Sequence, residues 1–111
     1  MDLEELLNAA AWRRVVFNLI LRIPPGRLAS YGRLASLAED ETGANPGARN
    51  VAWLRRKLYE IFGHDTDVPL HRVATAGDVA SINDSADTRT ENNLRRAAEG
   101  SLGRPWSESS L

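Results

Sequence analysis

The stretch SYGRLASLAEDETGANPGARNVAWLRRKLYEIF, Ser30 to Phe62, decides the fold. Ser30 has the side chain of a helix N-cap, and Leu34, Ala35, Leu37 and Ala38 behind it recur at helical spacing. They predict a helix from Tyr31 to about Glu39, followed by a turn at Thr42-Gly43-Ala44. Asn45 reads as the cap of a longer helix with Pro46 at its first position, where a missing N–H leaves no bond unmade. At about 100° per residue, Ala48, Val51, Leu54, Leu58, Ile61 and Phe62 share one side, with Arg55 as the lone charge among them. Arg49, Asn50, Trp53, Arg56 and Lys57 share the other. Short helix, glycine-containing turn and amphipathic helix with a cationic outer face make a helix-turn-helix plan. A large aromatic among cations is poor design for plain solvent, so Trp53 either packs on a neighbouring element or faces a ligand.

Upstream, Asp2 can cap a first helix running to about Leu21, ended by Ile23-Pro24-Pro25-Gly26. Downstream, Gly63 to Asp67 is a polar loop in which His64 is a solvated residue. Val68–Val73 and Val79–Ile82 read as a small hairpin or wing around Ala76-Gly77-Asp78. Asn83–Thr90 reads as loop, about Thr88–Glu99 as a last helix closed by Gly100, and Ser101–Leu111 as a tail. Residues 1–100 form one domain under this reading, and 101–111 a flexible end.

Composition narrows the chemistry. The 111 residues contain no cysteine, which excludes disulfides, thiolate chemistry and Cys-ligated zinc. Two histidines without carboxylates at ligand spacing make no metal site, and no cofactor motif is present. No apolar run approaches the roughly 18 residues that cross a bilayer, and Leu3–Leu21 is too charged for a membrane helix or a signal peptide. The net charge of −1 is unevenly distributed. Trp12 to Phe62 holds nine basic and four acidic residues, a net of +5, and all but one of the cations are arginine. The guanidinium fork suits phosphates and base edges, although a solvated helix face can carry the same charge.

One further stretch bears on function. Pro69-Leu70-His71-Arg72-Val73 sets a His-Arg pair inside an apolar run, as if His71 were the base of a nucleophile, yet its neighbour is a leucine.

Together with Ile23–Ala35 (IPPGRLASYGRLA) and Gly47–Val51 (GARNV), this block resembles the C-terminal DNA-binding domain of the O6-alkylguanine-DNA alkyltransferases, over about residues 10–100. The resemblance implies a mainly α, winged-helix-like helix-turn-helix domain with a small β-hairpin. In that family the third block reads Pro-Cys-His-Arg-Val, and its cysteine accepts the alkyl group. Leu70 stands there in this chain, so the resemblance implies no catalytic residue and no alkyl transfer. It further implies that His71 faces Glu99, a pair left with nothing to deprotonate.

By the same resemblance Tyr31 meets the 3′ phosphate of the target nucleotide, and Arg49 fills the gap left by a flipped base in the minor groove. Ser30, Gly32, Asn50, Trp53, Arg56 and Arg72 complete the expected DNA surface. Pro69, Leu70, His71, Val79, Asn83 and Glu99 line the expected lesion pocket, roomier or less flat-walled with leucine than with the tryptophan usual in the Cys-less, alkyltransferase-like branch. For Tyr31 an ordinary half-buried aromatic, and for Arg49 a plain phosphate clamp, stand as the alternatives. The expected partner is duplex DNA carrying alkylated guanine, with nucleotide excision repair proteins downstream. A cytoplasmic, nucleoid-associated monomer is expected. A major-groove helix-turn-helix regulator is the competing reading, and a residual enzyme, either an alkyltransferase with another acceptor or a base-releasing activity, the third.

Overall fold

The computed structural model describes residues 2–63 and 66–74. In chain order these form α1 (Leu3–Asn8), α2 (Ala11–Arg22), β1 (Ala29–Ser30), α3 (Tyr31–Thr42), α4 (Ala48–Phe62), a single 3-10 turn at Leu70–Arg72, and β2 (Val73–Ala74). The domain is mainly helical, with helices α2, α3 and α4 packed around one core.

The expected first helix is two. Asp2 caps it as its side chain predicts, accepting from the Glu5 N–H at 2.8 Å. The helix then breaks at Ala10, which is extended at φ −156° and ψ 142°. Leu6, Leu7, Val16, Leu19 and Ile20 are all buried. On one straight helix these five would spread over about 240° of the circumference, too wide for a single core. The break rephases the two halves. Arg13 satisfies the exposed end of α1 by donating from Nη1 to the Leu6 carbonyl at 3.1 Å, and Arg14 Nη2 reaches Asn8 Oδ1 at 2.7 Å.

α2 ends at Arg22, one residue beyond the expected Leu21, with Ile23 before Pro24 as its C-cap. Pro24 to Arg27 closes as a turn, the Arg27 N–H donating to the Pro24 carbonyl at 3.2 Å. Its third position is Gly26 at φ 89°, the left-handed conformation a type II turn demands there.

α3 begins where Ser30 predicts: Ser30 Oγ accepts from the Arg33 N–H at 3.0 Å. It outlasts the expected end at Glu39 by three residues and stops at Gly43, left-handed at φ 82°. The cap of α4 differs from expectation. Asn45 does not cap the helix, and Pro46 is not within it; Gly47, at φ 86°, is the N-cap and makes no side-chain cap bond. The Asn45 side chain instead accepts from the Gly47 N–H at 2.8 Å, closing a local turn that delays the helix by two residues. Val51, Leu54 and Leu58 are fully buried as the helical periodicity requires, each worth roughly 1.5–3 kcal/mol of transfer free energy.

The segment 68–73 is not a continuous strand. Pro69 breaks the extended run, and its carbonyl accepts from the Arg72 N–H at 3.0 Å, which winds Leu70–Arg72 into the 3-10 turn. Only Val73–Ala74 is strand, and it pairs in parallel with β1, Ala29 opposite Val73 and Ser30 opposite Ala74. The small sheet of the described residues is therefore this two-stranded parallel pair. The second hairpin strand at 79–82, the loop at 83–90, the last helix at 88–99, the tail and His64 all lie outside the described residues.

Candidate nucleic-acid interface

α4 presents its cations on one face because its apolar residues occupy the other. Arg49, Asn50 and Arg56 are exposed, and Ala52 and Trp53 half-buried. These five line a shallow groove of about 400 Å³ along the helix. The small Ala52 keeps its floor low, so a partner can approach the backbone. Arg49 stands in the first turn, where the helix dipole also favours anions. The Asn50 side chain is tethered, Nδ2 donating to the Pro46 carbonyl at 2.8 Å.

Trp53 packs on a neighbouring element and also borders the groove. The Arg13 guanidinium carbon lies 4.6 Å from its ring centroid and 5.7 Å from that of Trp12, and Lys57 Nζ approaches Trp53 at 5.9 Å. α2 thus anchors the indole by cation–π contact while its remaining surface lines the groove.

A second cluster joins α3, α4 and the 3-10 turn. Arg55 is the apparent intruder on the apolar side of α4. Its Nε donates to the Leu70 carbonyl at 2.9 Å, Nη1 to the Tyr31 hydroxyl at 3.2 Å and Nη2 to the Tyr59 hydroxyl at 3.2 Å. Its guanidinium carbon sits 4.8 Å from the Tyr59 ring centroid. Sequence reasoning passed over Arg55 and Tyr59 as site residues; a cation placed among apolar helix positions was the available signal.

The remaining expected site residues fall in three groups. Ser30 Oγ is engaged as the α3 cap, and Gly32 beside Tyr31 is exposed, with no atom within 4 Å of where a Cβ would stand. Arg72 is half-buried, and its Nη1 donates to the Ile23 carbonyl at 2.9 Å, which clamps the 3-10 turn to the end of α2. Pro69, Leu70 and His71 are buried, Leu70 at 1% and His71 at 4% exposure. Leu70 belongs to the hydrophobic core. Val79, Asn83 and Glu99, and with Glu99 the His71 pairing, lie outside the described residues. Among the described residues no cluster of three or more metal-ligating side chains exists, and no helix is long and apolar enough to cross a membrane.

Comparison with known proteins agrees with this architecture. Residues 11–100 match the family described as 6-O-methylguanine DNA methyltransferase, DNA binding domain. No curated protein matches significantly. Among solved structures, the chain is similar to S. pombe Atl1 in complex with damaged DNA containing O6-carboxymethylguanine, with a TM-score of 0.60 and 24% identity, over 90% of this chain and 80% of that one. A second structure, of S. pombe ATL in complex with DNA, matches over the same shares at a TM-score of 0.56 and 23% identity. At such identities the likeness speaks for the fold.

Proposed function

We infer the function from one premise: the chain belongs to the family of 6-O-methylguanine DNA methyltransferase DNA-binding domains. We propose that it is a non-catalytic DNA-damage recognition protein. It binds duplex DNA at O6-alkylated guanine, turns the damaged nucleotide out of the stack from the minor-groove side, and marks the site for nucleotide excision repair.

The observation that carries this reading is a member of a cysteine-dependent family with no cysteine anywhere in its sequence. Alkyl transfer needs a strong nucleophile, and serine or threonine hydroxyls at neutral pH are far weaker than a thiolate. What the family's chemistry leaves behind is its binding surface. The groove of Arg49, Asn50, Trp53 and Arg56 supplies the positive charge and planar side chains that a duplex with a displaced base requires. The fold likeness to a protein held in complex with damaged DNA supports the same reading.

The test is a titration, at one fixed salt concentration, of duplexes carrying O6-methylguanine, O6-benzylguanine or guanine at one position. Tighter binding to the alkylated duplexes, with the protein's mass unchanged afterwards, is the expected result. Equal affinities for damaged and undamaged DNA reject lesion recognition, and a mass gain of one alkyl group rejects the non-catalytic assignment. Faster incision of the lesion strand by excision-repair proteins when this chain is added tests the downstream step.

A further inference from the structure

Arg55 has a job that packing alone does not require. It lies on the side of α4 that faces the core, where a leucine or methionine would fill the space without desolvating a cation. Its three hydrogen bonds run to neutral oxygens on three different elements: Leu70 in the 3-10 turn, Tyr31 at the start of α3 and Tyr59 on α4. No carboxylate among the described residues pairs with it. A half-buried positive charge without a carboxylate partner among the described residues therefore sits beside the Tyr31 hydroxyl.

We propose that Arg55 is a positioning residue for bound DNA: it holds Tyr31 so that the phenolic O–H is presented to a phosphodiester oxygen, in fixed register with residue 70. The proposal rests on the DNA-binding reading above. The Tyr31 oxygen accepts from Arg55, so the remaining hydrogen-bonding function of that hydroxyl is its proton, which donates to nothing among the described residues. A phenol whose oxygen accepts from a cation is a better donor than a free one, because the two bonds polarise each other. The bare, exposed Gly32 beside it leaves room for a sugar-phosphate chain to come close. The phosphate then neutralises the guanidinium through the phenol. The bond to the Leu70 carbonyl ties this contact to the place where a flipped base would arrive, so backbone grip and base position move together.

The experiment is a double-mutant cycle read as preference: the affinity for an O6-methylguanine duplex divided by that for the same duplex with guanine. Wild type, R55M, Y31F and R55M/Y31F are compared, with circular dichroism melts for each. Each single change should lower the preference about tenfold, and the double change no further than either single one, since both remove the same contact. R55K, which keeps the charge on a non-planar head, should retain part of the preference. Independent effects that multiply in the double mutant overturn the proposal, as does an R55M protein that melts earlier with its preference intact. Should R55M fail to fold, the cycle is read with R55K in its place, and multiplied effects overturn the proposal there too. A wild type without any lesion preference removes the functional reading and this inference together; a preferring wild type with multiplied effects removes the inference alone.

Discussion

Arg72 and Ile23, 49 positions apart in sequence, are joined by a hydrogen bond of 2.9 Å from the guanidinium Nη1 to the carbonyl oxygen. Ile23 closes α2, where carbonyls lack helical partners and the helix dipole favours a cation. Truncating Arg72 to alanine leaves that carbonyl unserved and detaches the 3-10 turn from α2. The Arg72→Ala protein should lose about 1–3 kcal/mol in urea unfolding. If the bond to Ile23 occupies the guanidinium in the complex too, the slope of log affinity against log salt should stay as in wild type. A slope reduced by about one with stability unchanged would place Arg72 on the DNA surface instead.

The stack of Arg13 on Trp53 gives a second test, since it decides how rigid the wall of the groove is. Arg13 holds the indole at 4.6 Å and also caps α1 through the Leu6 carbonyl. Arg13→Ala removes both, and a loss of about 1–2 kcal/mol is expected in thermal or urea melts. The affinity for undamaged DNA should fall as well, by more than one lost surface charge accounts for, because Trp53 is then unanchored. Full DNA affinity in a destabilised Arg13→Ala protein would show that Trp53 takes no part in binding.

The elements read correctly from sequence are those fixed by neighbours along the chain. Ser30 starts α3 because its own side chain serves the Arg33 N–H, and the Val51, Leu54, Leu58 stripe is buried because three- and four-residue spacing repeats on one face. Two of the errors have distant causes and one a local cause. The break at Ala10 serves a core that Leu7 and Leu19 must both reach, a demand carried by no local breaker residue. The β1–β2 pairing joins Ala29 to Val73, and its strands of two residues are too short to show an alternation. At Asn45 two local motifs competed, and the turn onto the Gly47 N–H won over the helix cap. In the site, the exposed cations of α4 were legible from charge and periodicity. Arg55 was not, because its three partners come together only when α3, α4 and the 3-10 turn pack.

Leu70 offers a stability test and a chemical one. With 1% exposure inside the core cluster, Leu70→Ala should cost about 2–5 kcal/mol through lost burial and the cavity left behind. Leu70→Cys places a thiol in the same apolar seat, where burial raises its pKa and keeps it protonated. Incubated with an O6-methylguanine duplex and weighed by mass spectrometry, that variant should gain the methyl group on at most a small fraction of molecules. Stoichiometric transfer would show that the site opens on DNA binding far enough to solvate and deprotonate the sulfur.

Arg49 discriminates between two ways of using a cation at a minor groove. It is exposed in the first turn of α4 and makes no hydrogen bond or ion pair among the described residues, so its guanidinium is available to a partner. As a stand-in for a displaced base it would stack between neighbouring pairs, a role for a flat, weakly hydrated head; as a phosphate clamp it would need only charge. Arg49→Ala lowers affinity under either role, by about 1–3 kcal/mol for lesion DNA if the empty stack loses its filler. Arg49→Lys separates them, since it keeps the charge and loses the plane. On the proposed reading, Arg49→Lys binds guanine duplexes close to wild type but recovers little of the preference for O6-methylguanine, and a 2-aminopurine reporter next to the lesion shows a smaller fluorescence rise. Recovery of both affinities by lysine would make Arg49 a clamp and leave the displaced base without a replacement from α4.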